Sequence, residues 1–218
     1  TQDFIMINHP VFFVDEPLRY LSFIEDTNSK STLKKLHIPF ALGFKGTLNA
    51  LGASNSKISN PVQARYWSMV PYQLGLGADR QAVKYSARPC SLNADTMLNQ
   101  SGPNFLRAAL QDTLNKKDVC MEFLIQPRTS NKMLVENSMN EWKEDKAPFY
   151  KVATIHIPQQ VFNTPDQNKF CENLSFTPWH SLPEHKPLGA INRLRKVIYE
   201  NISIVRHEMN SAQRQEPK

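Results

Sequence analysis

Near the C-terminus, Arg195, Tyr199 and Arg206 have a spacing that could serve metal chemistry. In a helix turning about 100° per residue, Arg195 and Tyr199 lie one turn apart and Arg206 two turns beyond, so all three can face a common cavity. A tyrosine loses its proton near pH ~10, so acting as a phenolate ligand at neutral pH requires both a metal and a fixed cation beside it. Arginine supplies that charge and does not itself deprotonate. The same spacing also fits a plainer arrangement, a boundary strip of snorkelling arginines around a half-buried tyrosine. Ile191, Leu194, Ile198, Ile202 and Val205 fall within a sector of about 80° and mark the core-facing stripe of the same helix.

Other groups carry less. Asn8 and His9 interrupt an apolar run, and in an alternating strand they point to opposite faces, so at most one addresses a cavity. His180 and His185 sit in a Pro-rich stretch with no carboxylate placed as a zinc hydrolase would need, and they read as structural or surface groups. Three cysteines, an odd number with no CxxC pair, argue against a disulfide framework or structural zinc and favour a reducing, cytoplasmic compartment. There is no Gly-rich phosphate loop, nucleophile elbow or aromatic-interleaved basic strip, so nucleotide, acyl-transfer and nucleic-acid functions lack support.

The elements that must position these residues follow from hydrophobic periodicity. Residues Phe4 to Val14 read as a buried strand with a polar interruption, and Asp15-Glu16-Pro17 opens a short helix through Ile24. A second helix is expected from Ser31 to Leu36, limited by Pro39, before a Gly-, Ser- and Asn-rich connection through Asn60. Arg65 to Val70 and Ala82 to Ala87 suggest a hairpin. A helix from Pro103 to Leu114, strands from Val119 to Gln126 and Tyr150 to Ile157, and a long helix from Leu188 to Met209 follow.

With 218 residues, 40% hydrophobic and 21% charged, the chain has the composition of a globular protein, and no strong linker divides it. Residues 1–218 therefore read as a single α+β domain with a mostly antiparallel sheet and a frayed tail over 211–218. Fifteen prolines against seven glycines point to stiff connections between short elements. The net charge of +6 is spread along the chain and selects no partner by itself. No apolar run reaches the roughly eighteen residues of an integral membrane segment.

The Arg195-x-x-x-Tyr199 spacing, with Arg206 seven residues on, resembles the proximal motif of the haem catalases and their smaller catalase-related relatives. In that family a tyrosine ligates the iron and the second arginine contacts a haem propionate. Two further segments are similar in the same order. Asn8 and Pro10 to Val14 resemble the family's Asn-Asn-Thr-Pro-Ile-Phe-Phe-Ile strand on the distal side of haem, with Tyr20 where a haem-packing phenylalanine often stands. Tyr66-Trp67-Ser68-Met69-Val70-Pro71 resembles Phe-Trp-Ser-Leu-Arg-Pro, and Lys84-Tyr85 falls where a barrel strand continues. The stretch from Thr177 through Gly189 is more similar to the catalase-related branch, which includes peroxidases and enzymes acting on fatty-acid hydroperoxides. One departure stands out: Ile7 replaces the first of the paired asparagines, leaving Asn8.

The resemblance implies an α+β fold containing part of a catalase-like antiparallel β-barrel, a wrapping segment and a C-terminal haem-ligand helix. It implies ferric haem with Tyr199 as iron ligand, and Arg195, Arg206, Phe12, Phe13 and Tyr20 as cofactor-binding residues. Asn8 would be the distal catalytic group, and the substrate hydrogen peroxide or an organic hydroperoxide. Because the family's distal histidine lies upstream of the first strand, the resemblance also implies a C-terminal portion of the haem domain. The expected protein partners are an upstream N-terminal segment or a second copy of the chain. A degenerate module that serves for binding or structure alone is the rival reading.

Overall fold

In a computed structural model the chain is described over residues 2–55, 58–91 and 102–215. Helix α1 spans Pro17–Asn28, with Pro17 in its first turn, where the missing N–H leaves no bond unmade. Helix α2 spans Thr32–Ser54 and is far longer than the sequence suggested. Pro39 lies inside it, and the break falls instead at Gly43, whose φ of 67° interrupts the helical backbone. Thr47 partly repairs the ladder by donating its hydroxyl to Gly43 O at 2.8 Å. What holds the two halves in place is packing. Ile38, Leu42 and Ala50 meet the core, and at Gly46 the helix backbone comes so close to the preceding segment that a Cβ would sit 2.5 Å from Phe13 O. Tertiary contact thus overrides the local signals of Pro and Gly.

The sheet comprises β1 (Tyr66–Trp67), β2 (Tyr72–Leu74), β3 (Gln81–Pro89), β4 (Val119–Pro127) and β5 (Tyr150–Ile157). Its order is β1-β3-β4-β5, with β2 also on β3, and every pairing is antiparallel. The expected hairpin pairing holds, since Tyr66 faces Ala87 and Trp67 faces Ser86. The expected strand over Phe4 to Val14 does not form. Ile7 makes one isolated bridge with Trp67, and further along Phe12 N–H donates to Ser138 O instead. Pro10 has no N–H to offer a ladder, and the segment runs extended between the helices and a covering loop. The sheet is consequently open: among the described residues it does not close into the barrel that the resemblance implied, and β5 forms an exposed edge paired on one side only.

Helix α3 (Phe105–Lys116) packs near the start of β4, α4 (Pro165–Glu172) is a short helix the sequence did not announce, and α5 (Ala190–Met209) closes the chain. In α4, Pro165 follows the N-cap Thr164, whose hydroxyl accepts from Gln167 N–H. The tail is described as far as Gln215, whose N–H donates to Asn173 O; the rest of the expected frayed end lies outside the described residues.

Both faces of β3 are buried. On one, Val83 and Tyr85 join Phe12, Val14, Leu42, Met69, Tyr72 and Ile191 in the main core. On the other, the loop between β4 and β5 covers polar residues whose bonds are met: Gln126 donates to Trp142 O and Ala147 O, and Lys84 Nζ donates to Asn140 O at 3.0 Å. Cys90 and Cys120 form a disulfide with Cα atoms 5.5 Å apart, contrary to the expectation drawn from cysteine number. The cause is register, because Cys90 directly follows β3 and its N–H donates to Cys120 O on the neighbouring strand. The cysteine count therefore no longer favours a reducing compartment.

The crosslink closes a separation of 30 residues, so Cys90→Ser with Cys120→Ser should lower stability by about 2–4 kcal/mol. Urea unfolding should show reductant lowering the midpoint of the wild type and leaving that of the double variant unmoved.

Burial lowers the Lys84 ammonium from 10.5 to about 8, with Glu141 opposing. Between those two values the unfolded chain binds more protons than the folded one, so stability rises with pH across that window, by up to about 3 kcal/mol. Below it the gain is absent. The difference in unfolding free energy between wild type and Lys84→Met, measured from pH 7 to 10.5, should move in favour of the wild type. A difference that stays constant with pH would refute the assignment.

Candidate functional site

Helix α5 is anchored before it reaches the candidate ligand. Asn192 is fully buried, and its Nδ2 donates to Pro71 O at 3.1 Å and to Leu188 O at 3.0 Å. Trp179 Nε1 donates to the Asn192 carbonyl at 2.7 Å. These bonds fix the first turn of α5 on the chain just before β2. One turn later Arg195 is buried with its guanidinium 5.3 Å from the Phe12 ring centroid, and its Nη1 has no hydrogen-bond partner. Tyr199, a further turn on, is half-buried.

Tyr199 stands between two cavities. The larger, about 430 Å³, is bordered by Tyr20, Phe176, Ile198, Tyr199, Ile202 and Arg206. The smaller, about 160 Å³, lies toward Trp179, His180 and Lys196. The larger volume falls in the range of roughly 300–1,000 Å³ typical of small-molecule sites. A comparably large cavity of about 440 Å³ on the sheet is lined by Phe4, Met6, Phe123 and Ile155. The one phenol there, Tyr66, already donates to Pro61 O at 2.6 Å, so that cavity offers little chemistry.

Four side chains form one electrostatic group. Burial raises the Tyr20 phenol above its ordinary value, while the Arg195 charge lowers it and Tyr199 raises it. Burial pushes Tyr72 up to about 12, with the same two neighbours acting in the same senses. The Tyr72 hydroxyl, like Arg195 Nη1, is buried without a hydrogen-bond partner. A buried guanidinium atom lacking an acceptor favours negative charge nearby, and phenolate oxygen is one such charge.

The other expected residues are distributed as follows. Arg206 borders the larger cavity, and its Nη2 donates to Leu174 O and to Ser175 Oγ. Phe12 and Phe13 stack on each other at 4.5 Å, and Tyr20 approaches both. Phe12 is core beneath Arg195, Phe13 packs on Phe23, and Tyr20 alone of the three borders the cavity with Tyr199. Asn8 is not brought to this place: it borders a separate cavity of about 260 Å³ with Asn60, Gln63, Arg65 and Trp67. His9 is structural, its Nδ1 3.0 Å from Val11 O and its ring against Gly52. His180 is held by buried Asp3 at 2.9 Å, which also accepts from Thr177 N–H.

Sequence reasoning missed Tyr72 and Asn192. Asn192 lies three residues before Arg195 on the same helical face, a signal that could have found it. Tyr72 comes close only through folding of the sheet and carries no such local mark. Among the described residues no three His, Cys, Asp or Glu side chains gather to hold a bare metal ion. The donor set at the larger cavity is phenolic, which suits an iron that arrives with a macrocycle of its own.

No family model matches this sequence, and no curated protein sequence matches it significantly. Solved structures do match it. A fungal catalase aligns with a TM-score of 0.74 at 17% identity, covering 94% of this chain and 45% of the catalase. A bacterial catalase gives 0.70 at 12% identity, covering 94% and 43%. Catalase A from Saccharomyces cerevisiae gives 0.62 at 14% identity, covering 94% and 46%. Over nearly all of its length the chain therefore has a catalase-related fold, and it spans less than half of each of these catalases.

Proposed function

We propose that the chain binds haem through Tyr199 and takes part in peroxide or organic hydroperoxide chemistry. The observation that carries this reading is a phenol at a cavity wall, one turn from a buried guanidinium whose Nη1 has no partner. Tyr199 would hold the iron, and Arg195 would favour its phenolate form. Arg206 borders the same cavity and would pair with an acidic edge of the macrocycle. Tyr20 would supply contact at the opposite wall, while Phe12 and Phe13 support it from the core. In this reading the open sheet is one flank of a barrel. Bound haem supplies a redox-active iron at which a peroxide O–O bond can be cleaved. Asn8 opens on another cavity and is given no step.

A second reading, a degenerate module without activity, is favoured by that placement of Asn8 and by the bonds Arg206 already makes to Leu174 and Ser175. The two are separated by haem titration followed at the Soret band. Under the haem reading, wild type binds ferric haem, Tyr199→Phe loses affinity because the phenyl ring has no donor atom, and Tyr199→His retains haem in a complex of different colour. Arg195→Ala falls between wild type and Tyr199→Phe, losing the fixed counter-charge but not the ligand. Equal affinity in wild type and Tyr199→Phe refutes Tyr199 ligation. Haem binding without turnover of hydrogen peroxide or an organic hydroperoxide leaves the binding module as the correct reading.

A further inference from the structure

The outer face of α2 combines exposed apolar side chains with lysines. Its inner face, Ile38, Leu42, Gly46 and Ala50, packs on the core. On the far side Leu33, Leu36, Phe40, Phe44, Leu48 and Leu51 are all exposed, Phe40 at 81% and Phe44 at 84%. In each half of the helix three of these fall within a sector of about 60°, so each side of the Gly43 kink presents its own apolar stripe. Single exposed leucines are ordinary, but two consecutive stripes of three large apolar side chains are not.

Charge completes the pattern. Between Thr32 and Ser54 there is no Asp or Glu, while Lys34, Lys35 and Lys45 are exposed, with Lys30 just before the helix. On α1, Asp26 is buried and held by His37 at 2.9 Å and Glu25 is exposed, while Glu16 just before the helix lies 3.6 Å from Arg19. No helix among the described residues is long and apolar enough to cross a membrane.

From these observations we propose that the outer face of α2 docks on an anionic lipid bilayer, lying in the interface with its apolar side chains in the headgroup boundary and its lysines on the anionic headgroups. A basic amphipathic helix with large apolar side chains binds in that way, and lysines near such a surface add electrostatic attraction. A second copy of the chain fits less well. A two-fold interface would bring the same patch against itself, setting Lys34, Lys35 and Lys45 beside their counterparts without an acid on α2 to meet them. The proposal does not depend on haem.

The test is sedimentation of the full chain with phosphatidylcholine vesicles and with vesicles containing one-third phosphatidylglycerol. Binding to the anionic vesicles should exceed that to the neutral ones by about tenfold or more at low salt and weaken as salt rises. Phe40→Ser with Phe44→Ser should reduce it by about tenfold, and because both rings are exposed the thermal melt should not move. Lys34→Glu with Lys45→Glu should abolish the preference for anionic lipid and serves as the reading if the first variant does not fold. Failure to sediment with anionic vesicles, or binding unaltered in both variants, would overturn the proposal. So would a solution dimer, seen by light scattering, that Phe40→Ser with Phe44→Ser converts to monomer.

Discussion

A guanidinium buried at the inner face of α5, with Phe12 beneath it, is the constraint around which the rest of this structure is arranged. Arginine stays charged at any ordinary pH, so it can occupy such a place only if aromatic faces, polar atoms or an anion compensate for lost water. Here the compensation within the chain is partial. Phe12 offers a ring face, yet Nη1 lacks an acceptor, and the phenols of Tyr20 and Tyr72 both feel the charge. The bonds of Asn192 to Pro71 and Leu188 hold α5 against the chain that enters β2, and so fix where Arg195 can reach. On the other side, the close approach of α2 at Gly46 presses the Phe12–Phe13 segment inward. Together these contacts leave an unmet polar atom on Arg195 one helical turn from Tyr199, which borders the cavity.

What could be read from the sequence was what depends on local periodicity. The positions of Arg195 and Tyr199 one turn apart on α5, the strand from Tyr150 to Ile157 and the antiparallel pairing of Tyr66 and Trp67 with β3 follow from patterns within a short window, whereas the apolar stripe expected on α5 leaves Ile202 and Val205 exposed. What could not be read depends on contacts between distant segments. Pro39 looked like a stop because its neighbours in sequence say so, whereas the packing of Leu42 and Gly46 against Phe12 and Phe13 extends α2 past it. The Cys90–Cys120 pair comes from the register of β3 on β4, which an odd count of cysteines cannot reveal. The polar face of the β3–β4 pair becomes tolerable because the loop carrying Asn140, Trp142 and Ala147 folds over Lys84 and Gln126, while Ser86 donates to Tyr66 O.

The distribution of Asn8 and Tyr199 separates fold from chemistry. A chain can share most of its backbone course with catalases at 12–17% identity, and that likeness fixes the fold without fixing the chemistry. Ile7, at the place where the family pattern has an asparagine, forms the bridge to Trp67 and so serves the fold. Asn8 borders the separate cavity beside Arg65, whose guanidinium meets Glu144, Trp67 and Phe149 while its Nη2, like Arg195 Nη1, is buried without a hydrogen-bond partner. On the α5 side Tyr199 borders a cavity with Tyr20 and Arg206, and Arg195 lies one turn earlier, buried on Phe12.

The two helices that precede the sheet connect that cavity with the surface. α1 packs along α2, and the same short helix brings Tyr20 to the cavity that Tyr199 borders while leaving Leu18 exposed. If the outer face of α2 rests on a bilayer, then the wall of the cavity formed by Tyr20 belongs to an element already at the lipid boundary. The cavity lining itself is largely apolar, with Ile198, Ile202 and Phe176 around a few polar groups. An apolar lining discriminates poorly for a small polar peroxide and gains free energy with every methylene of a long one, about 0.8 kcal/mol for each that is buried. Under the proposed haem reading, that lining would suit an organic hydroperoxide better than hydrogen peroxide.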